Sequence, residues 1–177
     1  MLFLRRAATL LLALVLLLVV VAYLLPRNVH VVRAIPIDAP PETVFPFVNS
    51  LKEGVKWSPW LSRDPNTTLA FSGPESGVGN ALEWTSRDPQ VSTGKQVITK
   101  STPNSHVTTA LDFGDMGLAT ARFTLTPAGT GTLISWRFDA DMGRNPLSRW
   151  MGLMMDRWVG DDFEQGLANL KTLIENR

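Results

Sequence analysis

Side chains that carry nucleophilic or metal chemistry are scarce in this chain of 177 residues, which has no cysteine and only two histidines. The missing cysteine excludes disulfides, thiolate nucleophiles and Cys-ligated metals, and it leaves the redox compartment open. His30 and His106 lack the spacing of a metal-binding motif. The only tyrosine, Tyr23, lies in an apolar segment. We therefore assign no catalytic residue, no metal ligand and no cofactor.

An excess of charge of one sign is also missing, because 17 Lys and Arg residues stand against 16 Asp and Glu. This balance provides no bulk field that would attract nucleic acid or a strongly anionic partner. The basic residues are scattered and form no patch interleaved with aromatic side chains. We expect no nucleic-acid partner.

A stretch of 19 residues without a charge runs from Ala7 to Leu25. As a helix it would be ~28 Å long at about 1.5 Å per residue, close to the ~30 Å hydrocarbon core of a bilayer. A cleaved signal peptide is the alternative, although its apolar region is usually shorter, about 7 to 15 residues. Arg5 and Arg6 precede the stretch, so the positive-inside rule favours a cytoplasmic N-terminus. We predict a single-pass anchor, residues 7–25, and an extracytoplasmic soluble domain.

The sequence after this anchor is rich in strand signals. The β-branched alternation from Val29 to Ile37 predicts a first strand. Pro40 and Pro41 suit the entrance of a short helix. Turn sequences then separate six further predicted strands, at residues 68–71, 80–85, 92–100, 106–113, 118–126 and 132–140. Such short connections predict antiparallel hairpins.

Helical periodicity appears at the C-terminus, where apolar residues from Leu147 to Ile174 recur at spacings of three and four. Asn145 is the candidate N-cap, Pro146 suits the first helical position, and we expect a bend at Gly160. A run of antiparallel strands followed by one long amphipathic helix predicts an α+β fold in which a curved sheet wraps that helix.

The order of these elements resembles a known superfamily. The segments IPIDAPPETVFPFVNS, WSPW, SGPESGVGNALEW, GTLISW and FEQGLANLKTL are similar to those of the SRPBCC superfamily. It has the START-like, helix-grip fold of the birch-pollen allergen, polyketide aromatase/cyclases and lipid-transfer domains. The resemblance covers residues 29–177 and divides the chain into this domain and an anchor with a short linker, residues 1–28. It implies a deep, mostly apolar cavity between the sheet and the C-terminal helix.

Strand alternation indicates which side chains face that cavity. The helix side of the interior is expected to be formed by Met151, Met154, Met155 and Trp158. Methionine is over-used at surfaces that accept varied apolar ligands, but a purely structural core is the alternative for each position. The predicted cavity residues are Trp57, Trp60, Leu82, Trp84, Leu111, Phe113, Phe123, Trp136, Phe138, Met151, Met154 and Trp158.

Two of these tryptophans flank Ser58 and Pro59 in a segment with neither helical nor strand periodicity. Pro59 stiffens the connection, and Ser58 can bond its local backbone. We expect Trp57 or Trp60 to close the cavity and contact a ligand. The alternative is a loop that is pinned onto the helices.

Carboxylates in an apolar pocket would suggest acid or base chemistry. Glu83 and Asp112 alternate with apolar neighbours and are predicted to point away from the cavity. Asp161 and Asp162 lie in the long helix, where a solvated face is favoured over the cavity edge.

These features predict a membrane-anchored protein that binds a hydrophobic small molecule or lipid without catalysing a reaction. A second hypothesis is an enzyme that resembles polyketide cyclases or dehydratases, which needs an inward-facing His, Tyr or carboxylate. A third is an interaction module of a membrane complex that holds no ligand.

Overall fold

The structure, a computed structural model, describes residues 1–176. The helices are α1 (Leu2–Leu24), α2 (Pro41–Val48), α3 (Leu51–Gly54), α4 (Pro59–Ser62), α5 (Pro146–Gly152) and α6 (Met155–Glu175). The strands are β1 (Asn28–Ile37), β2 (Thr68–Ser72), β3 (Ala81–Thr85), β4 (Thr93–Thr102), β5 (His106–Asp112), β6 (Leu118–Ala128) and β7 (Gly131–Asp141). Each predicted strand is present within two residues of its predicted limits.

The strands form one antiparallel sheet in the order β1-β7-β6-β5-β4-β3-β2. The predicted α+β, helix-grip fold is confirmed, since this sheet is curved around the C-terminal helix. Helix α6 runs in the same direction as β1. Arg33 of β1 binds Asp156 in the first turn of α6, and Glu175 in the last turn accepts a hydrogen bond from the Asp38 amide at 2.7 Å.

One end of the sheet lies next to α1, and we call it the α1 end. Asn28 at the start of β1 pairs with Asp141 at the end of β7. From there the pairing continues across the start of β6, the end of β5 and the start of β4. At the start of β4, Gly94 pairs with Trp84 at the end of β3. The ends of β3, β5 and β7 and the starts of β1, β4 and β6 therefore share this end.

Strand alternation predicts the buried face correctly. On β7, Thr132 and Ile134 are fully buried and Phe138 is nearly so, whereas Arg137 is exposed. On β6 the buried side chains alternate with exposed ones in the same way, at Ala121, Phe123 and Leu125. The pattern places the apolar side chains between the sheet and the helices.

The C-terminal segment forms two helices, so the prediction of one helix with a bend at Gly160 is wrong. The chain breaks between α5 and α6 at Leu153 and Met154. Gly160 lies inside α6, where the Arg33 guanidinium covers it so closely that a Cβ atom would collide. The predicted cap is confirmed, because the Asn145 side chain accepts a hydrogen bond from the Leu147 amide at 2.9 Å.

The break also corrects the predicted direction of three side chains. Met151, Met154 and Trp158 are 48%, 47% and 46% exposed and do not face the interior. The physical reason is that α5 packs mainly against α1, and these three residues, spaced three and four apart, lie on a face that the rest of the chain leaves exposed. Met155, one residue after the break, is half-buried and packs on Phe138 and its neighbours.

Helix α1 is long and apolar enough to cross a bilayer between Phe3 and Leu24. Three residues, Leu25 to Arg27, connect it to β1. The Arg27 guanidinium holds Asp141 in an ion pair at 2.5 Å, and the Met142 amide donates to the Arg27 carbonyl at 2.8 Å. The hydrogen bond from Arg27, with a second from the Gly143 amide, lowers the pKa of Asp141 to about 2. The linker is thus fastened to the end of β7.

Replacing Asp141 with Asn is expected to destabilise the solubilised full chain near pH 5, with an effect that shrinks toward pH 2. The pKa of Asp141 is lower in the folded chain than its ordinary value of 3.8. Its contribution to stability is therefore complete above about pH 4 and is lost as the pH falls through about 2. Urea unfolding midpoints across this range provide the measurement. The control is Asp115→Asn, which removes a carboxylate without an ion pair among the described residues. Equal midpoints for Asp141→Asn and wild type at every pH would contradict the prediction.

Candidate ligand-binding site

Four aromatic rings meet between the sheet and α6. Trp136 of β7 stacks on Phe163 of α6, with 3.8 Å between ring centroids and 8° between planes. Phe123 of β6 lies 4.9 Å from Trp136, and Trp57 meets Trp136 edge-on at 5.4 Å. We call these four side chains the aromatic cluster. They fill the middle of the interior in which the resemblance implies a deep cavity.

Trp57 ties the chain before α4 to its neighbours. Its side chain is only 4% exposed, and its indole N–H donates to the Phe47 carbonyl of α2 at 3.2 Å. The Asn169 side chain of α6 donates to the Trp57 carbonyl at 3.1 Å. These bonds match the alternative in which this tryptophan pins the segment onto the helices.

Trp60 and Trp136 differ from Trp57 because their indole N–H groups are buried and unpaired. Among the described residues, neither Nε1 atom has a hydrogen-bond partner. A buried donor that lacks a partner costs about 1–3 kcal/mol. An acceptor atom brought to either nitrogen would recover that free energy.

Helix α4 carries Trp60, and an ion pair attaches it to α6. It occupies part of the segment that lacks periodicity in the sequence, with Pro59 at its first position. The Arg63 guanidinium lies 5.3 Å from the Trp60 ring centroid and forms an ion pair with Asp162 of α6. The Asp162 side chain is only 13% exposed. The prediction that Asp162 lies on a solvated helix face is therefore wrong. The residue instead joins α6 to the end of α4 through Arg63.

A cleft of about 510 Å³ opens at the α1 end of the sheet, lined by the end of β3, the start of β4 and the turn after β5. Trp84 and Phe113 both line it, with their ring centroids 6.0 Å apart. Phe113 also lies 6.4 Å from Trp60. A continuous aromatic path therefore connects the cleft to Trp60. Glu83, which points outward as predicted and pairs with Lys95, lies at the cleft rim.

A second cleft, of about 370 Å³, lies at the opposite end of the sheet. It is formed by α2, α3 and the end of α6, at Ile174. None of the predicted cavity residues lines it.

The structure brings most of the predicted cavity residues into one apolar cluster. The predicted cavity residues in this cluster are Trp57, Trp60, Leu82, Trp84, Leu111, Phe113, Phe123 and Trp136. Phe138 lies in an adjoining cluster with Phe163. Met151, Met154 and Trp158 lie outside both clusters.

Sequence reasoning missed Phe163 and Arg63 as parts of this site, and it favoured a solvated face over the cavity edge for Asp162. Phe163 lies in the helical periodicity of the C-terminal segment, which provides a signal for burial but not for stacking. The pairing of Arg63 with Asp162 joins residues that are 99 positions apart, and no local pattern marks it.

Groups that could act as acids or bases lie away from the aromatic cluster. His30 is exposed and bonds Asp139 at 2.5 Å, and the Arg137 side chain lowers the pKa of that aspartate. His106 is within 3.2 Å of the Thr102 hydroxyl. In residues 1–176, no group of three or more His, Asp or Glu side chains could hold a metal ion.

Replacing Gly166 with Ala is expected to lower the free energy of unfolding by about 1–3 kcal/mol, the usual cost of overpacking. A Cβ atom on Gly166 would lie 2.9 Å from Trp136 and 3.1 Å from Pro59, so one of them has to move. The matched control is Gly54→Ala, since nothing lies within 4 Å of a Cβ there. Urea unfolding of both variants gives the comparison. Equal stabilities would show that α6 does not press on the aromatic cluster at this point.

Comparison with known proteins identifies the fold independently. The family model described as polyketide cyclase / dehydrase and lipid transport matches residues 28–175. No curated protein matches the chain.

Three solved structures illustrate the likeness. Protein CV1439 from Chromobacterium violaceum is 18% identical, with a TM-score of 0.54 over 85% of this chain and 98% of that one. The Aha1 dimer from Colwellia psychrerythraea is 20% identical, with a TM-score of 0.54 over 83% of this chain and 96% of that one. The di-domain ARO/CYC StfQ from the steffimycin biosynthetic pathway is 14% identical, with a TM-score of 0.62 over 85% of this chain but 51% of that one. At these identities the structures show the fold alone. The family model, which matches most of the chain, confirms the SRPBCC resemblance, and the chain belongs to the polyketide cyclase/dehydrase and lipid transport family.

Proposed function

We propose that this protein is a membrane-anchored binding protein for a hydrophobic small molecule or lipid, held between the sheet and α6, and that it catalyses no reaction. The observation that carries the proposal is the pair of buried, unpaired indole N–H groups of Trp60 and Trp136. Trp136 lies in apolar and aromatic surroundings, and Trp60 lies between Phe113 and the Arg63 guanidinium. Such a site, with few polar groups in an apolar lining, is typical of small-molecule binding.

The same two donors indicate the chemistry of the ligand. An indole N–H only donates, so its partner has to be an acceptor such as a carbonyl, ether or hydroxyl oxygen. The neighbouring rings of Phe113, Phe123 and Phe163 favour a flat or chain-like apolar body. We therefore expect an apolar ligand that carries one or two acceptor oxygens.

Entry of the ligand requires the aromatic side chains to move, because they fill the interior. Trp60 is the ring best suited to move, since it is half-buried on a four-residue helix. The ion pair between Arg63 and Asp162 holds that helix closed. Outward movement of α4 would connect the aromatic cluster with the cleft at Phe113.

A binding role without catalysis is supported by the side chains that face the interior. Indole nitrogens neither donate nor accept a proton as acids or bases in neutral water. Tyr23 lies on α1, and the His30 ring is exposed on the outer side of the sheet. Asp162, the carboxylate beside Trp60, is already paired with Arg63. The cyclase-like alternative would need one of these groups, or a carboxylate at the cleft such as Asp112, to face the ligand.

Anchoring by α1 suits a ligand that partitions into a bilayer. The helix carries no charge from Ala7 to Leu24, and only 6% of its most apolar window is buried by the rest of the chain. The cleft at Trp84 and Phe113 opens at the α1 end of the sheet. Arg5 and Arg6 favour a cytoplasmic start of α1, so we expect the domain to lie outside the cytoplasm.

Native mass spectrometry of the solubilised full chain, purified from its host, tests the proposal directly. A stoichiometric apolar molecule that carries an acceptor oxygen would support it. A protein that is empty and also fails to bind apolar probes would overturn it in favour of an interaction module.

The unpaired N–H groups of Trp60 and Trp136 predict that the protein prefers anthrone to anthracene. The two probes are similar in shape, but only anthrone has a carbonyl. Trp60→Phe or Trp136→Phe is expected to reduce the preference for anthrone by about 2- to 12-fold, since one hydrogen bond contributes about 0.5–1.5 kcal/mol. Fluorescence titration of each probe gives the ratio of affinities.

The matched control is Trp57→Phe, which makes the same change in the same cluster at an indole already bonded to Phe47. It is expected to lower stability and keep the preference. Unchanged preferences in both Trp60→Phe and Trp136→Phe would contradict a role for these donors in recognition.

The ion pair between Arg63 and Asp162, which holds α4 against α6, gives a separate prediction. Asp162→Asn is expected to speed deuterium exchange in residues 57–63 and to speed anthrone binding and release, because it leaves Arg63 without its charged partner. The control is Glu83→Gln, which breaks an exposed pair with Lys95 across two strands. Exchange in residues 57–63 that matches wild type in both variants would show that the pair does not control opening.

A further inference from the structure

An unusual run of exposed apolar side chains covers α5 and the start of α6. We call it the α5 patch, and its members are Leu147, Met151, Leu153, Met154 and Trp158, which are 46–67% exposed. Single exposed apolar residues are normal on protein surfaces, but a contiguous group marks an interaction site. Since α5 packs mainly against α1 and approaches the sheet only near Val29, the patch is not needed to cover the aromatic cluster.

Helix α5 is fixed beside the last turns of α1. The Trp150 indole N–H donates to the Leu18 carbonyl at 3.2 Å. The Arg149 guanidinium donates to the Tyr23 carbonyl at 3.0 Å and lies 5.3 Å from the centroid of the Tyr23 ring. These contacts set the height of the α5 patch along the axis of α1.

That height can be compared with the thickness of a bilayer. Leu18 precedes Leu25, the end of the uncharged stretch, by seven positions, which is ~10 Å at about 1.5 Å per residue. The stretch from Ala7 is only ~28 Å long, so nearly all of it is needed to cross a ~30 Å hydrocarbon core. If α1 spans a bilayer, Trp150 is therefore carried below the membrane surface, and the α5 patch is carried down with it.

The charges around the patch fit the same depth. Arg144 and Arg157 are exposed at its two ends, and Arg149 reaches along α1. Long cationic side chains can extend toward phosphate groups while their stems stay in apolar surroundings. Asp156, an acidic side chain nearby, is paired with Arg33, which it shares with Glu164. Trp150 and Trp158 are of the type enriched at membrane interfaces.

We infer that α5 and the first turn of α6 insert into the leaflet at the C-terminal end of α1, with the α5 patch facing the acyl chains of that bilayer. This inference rests on the membrane anchoring in the proposed function and adds a second contact with the same membrane. It agrees with interfacial helices, which bury their apolar face ~5–10 Å into the boundary between headgroups and acyl chains.

The absence of cysteine from the chain allows a direct test with single spin labels. We would attach a nitroxide to the variants Leu16→Cys, Met151→Cys, Leu153→Cys and Ala128→Cys of the full chain, in phosphatidylcholine–phosphatidylglycerol nanodiscs. All four positions are exposed, so the labels need not disturb the core. Relative accessibility to oxygen and to a water-soluble nickel chelate reports depth in the bilayer.

The expected result is a deep label at Leu16, the midpoint of the stretch from Ala7 to Leu25, labels ~5–10 Å below the phosphates at Met151 and Leu153, and an aqueous label at Ala128, which lies at the far end of the sheet. Labels at Met151 and Leu153 in water, with Leu16 deep, would overturn the inference and leave the anchor intact. Labels there that neither reagent reaches, with Leu16 deep, would assign the patch to a second copy or another protein and also overturn it. A shallow Leu16 label would instead remove the anchor on which the inference rests.

Discussion

The face-to-face packing of Trp136 against Phe163 fixes the separation between the sheet and α6, and the other contacts of the interior depend on it. Gly166, one turn after Phe163, leaves room for the edge of Trp136 and for Pro59. Trp57 then closes the cluster from the side of α2. On the outer flank of α6, Arg33 covers Gly160 and binds both Asp156 and Glu164. Two glycines on α6 thus allow a close approach, one to a ring and one to a guanidinium.

This packing changes how the site is understood. A helix-grip fold suggests a preformed cavity, whereas here the interior is occupied by rings whose spare hydrogen-bonding capacity is limited to the indoles of Trp60 and Trp136. Binding would then exchange ring–ring contacts for ring–ligand contacts. Hydrogen bonds from the two indole N–H groups to the ligand would supply the net free energy that favours the bound state. Selectivity in such a site comes from hydrogen-bond geometry as well as from shape.

The strands could be predicted from sequence because their pattern is local: Ile134 and Phe138 are buried while Arg137 between them is exposed. The break between α5 and α6 could not be predicted. Both Gly152 and Gly160 interrupt the helical pattern, and tertiary contacts decide at which of them the helix ends. Gly152 ends α5 where a Cβ would lie 3.1 Å from both Val29 and Met142, whereas Gly160 stays helical beneath Arg33. The exposure of Met151 and the stacking of Phe163 follow from that choice.

The three-residue connection between α1 and β1 limits how far the domain can move away from α1. Leu25 to Arg27 can extend by at most about 10 Å, at ~3.3–3.6 Å per residue, and Arg27 is held at the end of β7. If α1 spans a bilayer, as proposed, a domain tethered so closely would have no reach into the surrounding compartment. Its encounters with a bilayer-soluble ligand would be governed by lateral diffusion and by surface density. Any acceptor of that ligand would have to approach within the height of this one domain, so delivery to a distant membrane would require a second, freely diffusing carrier.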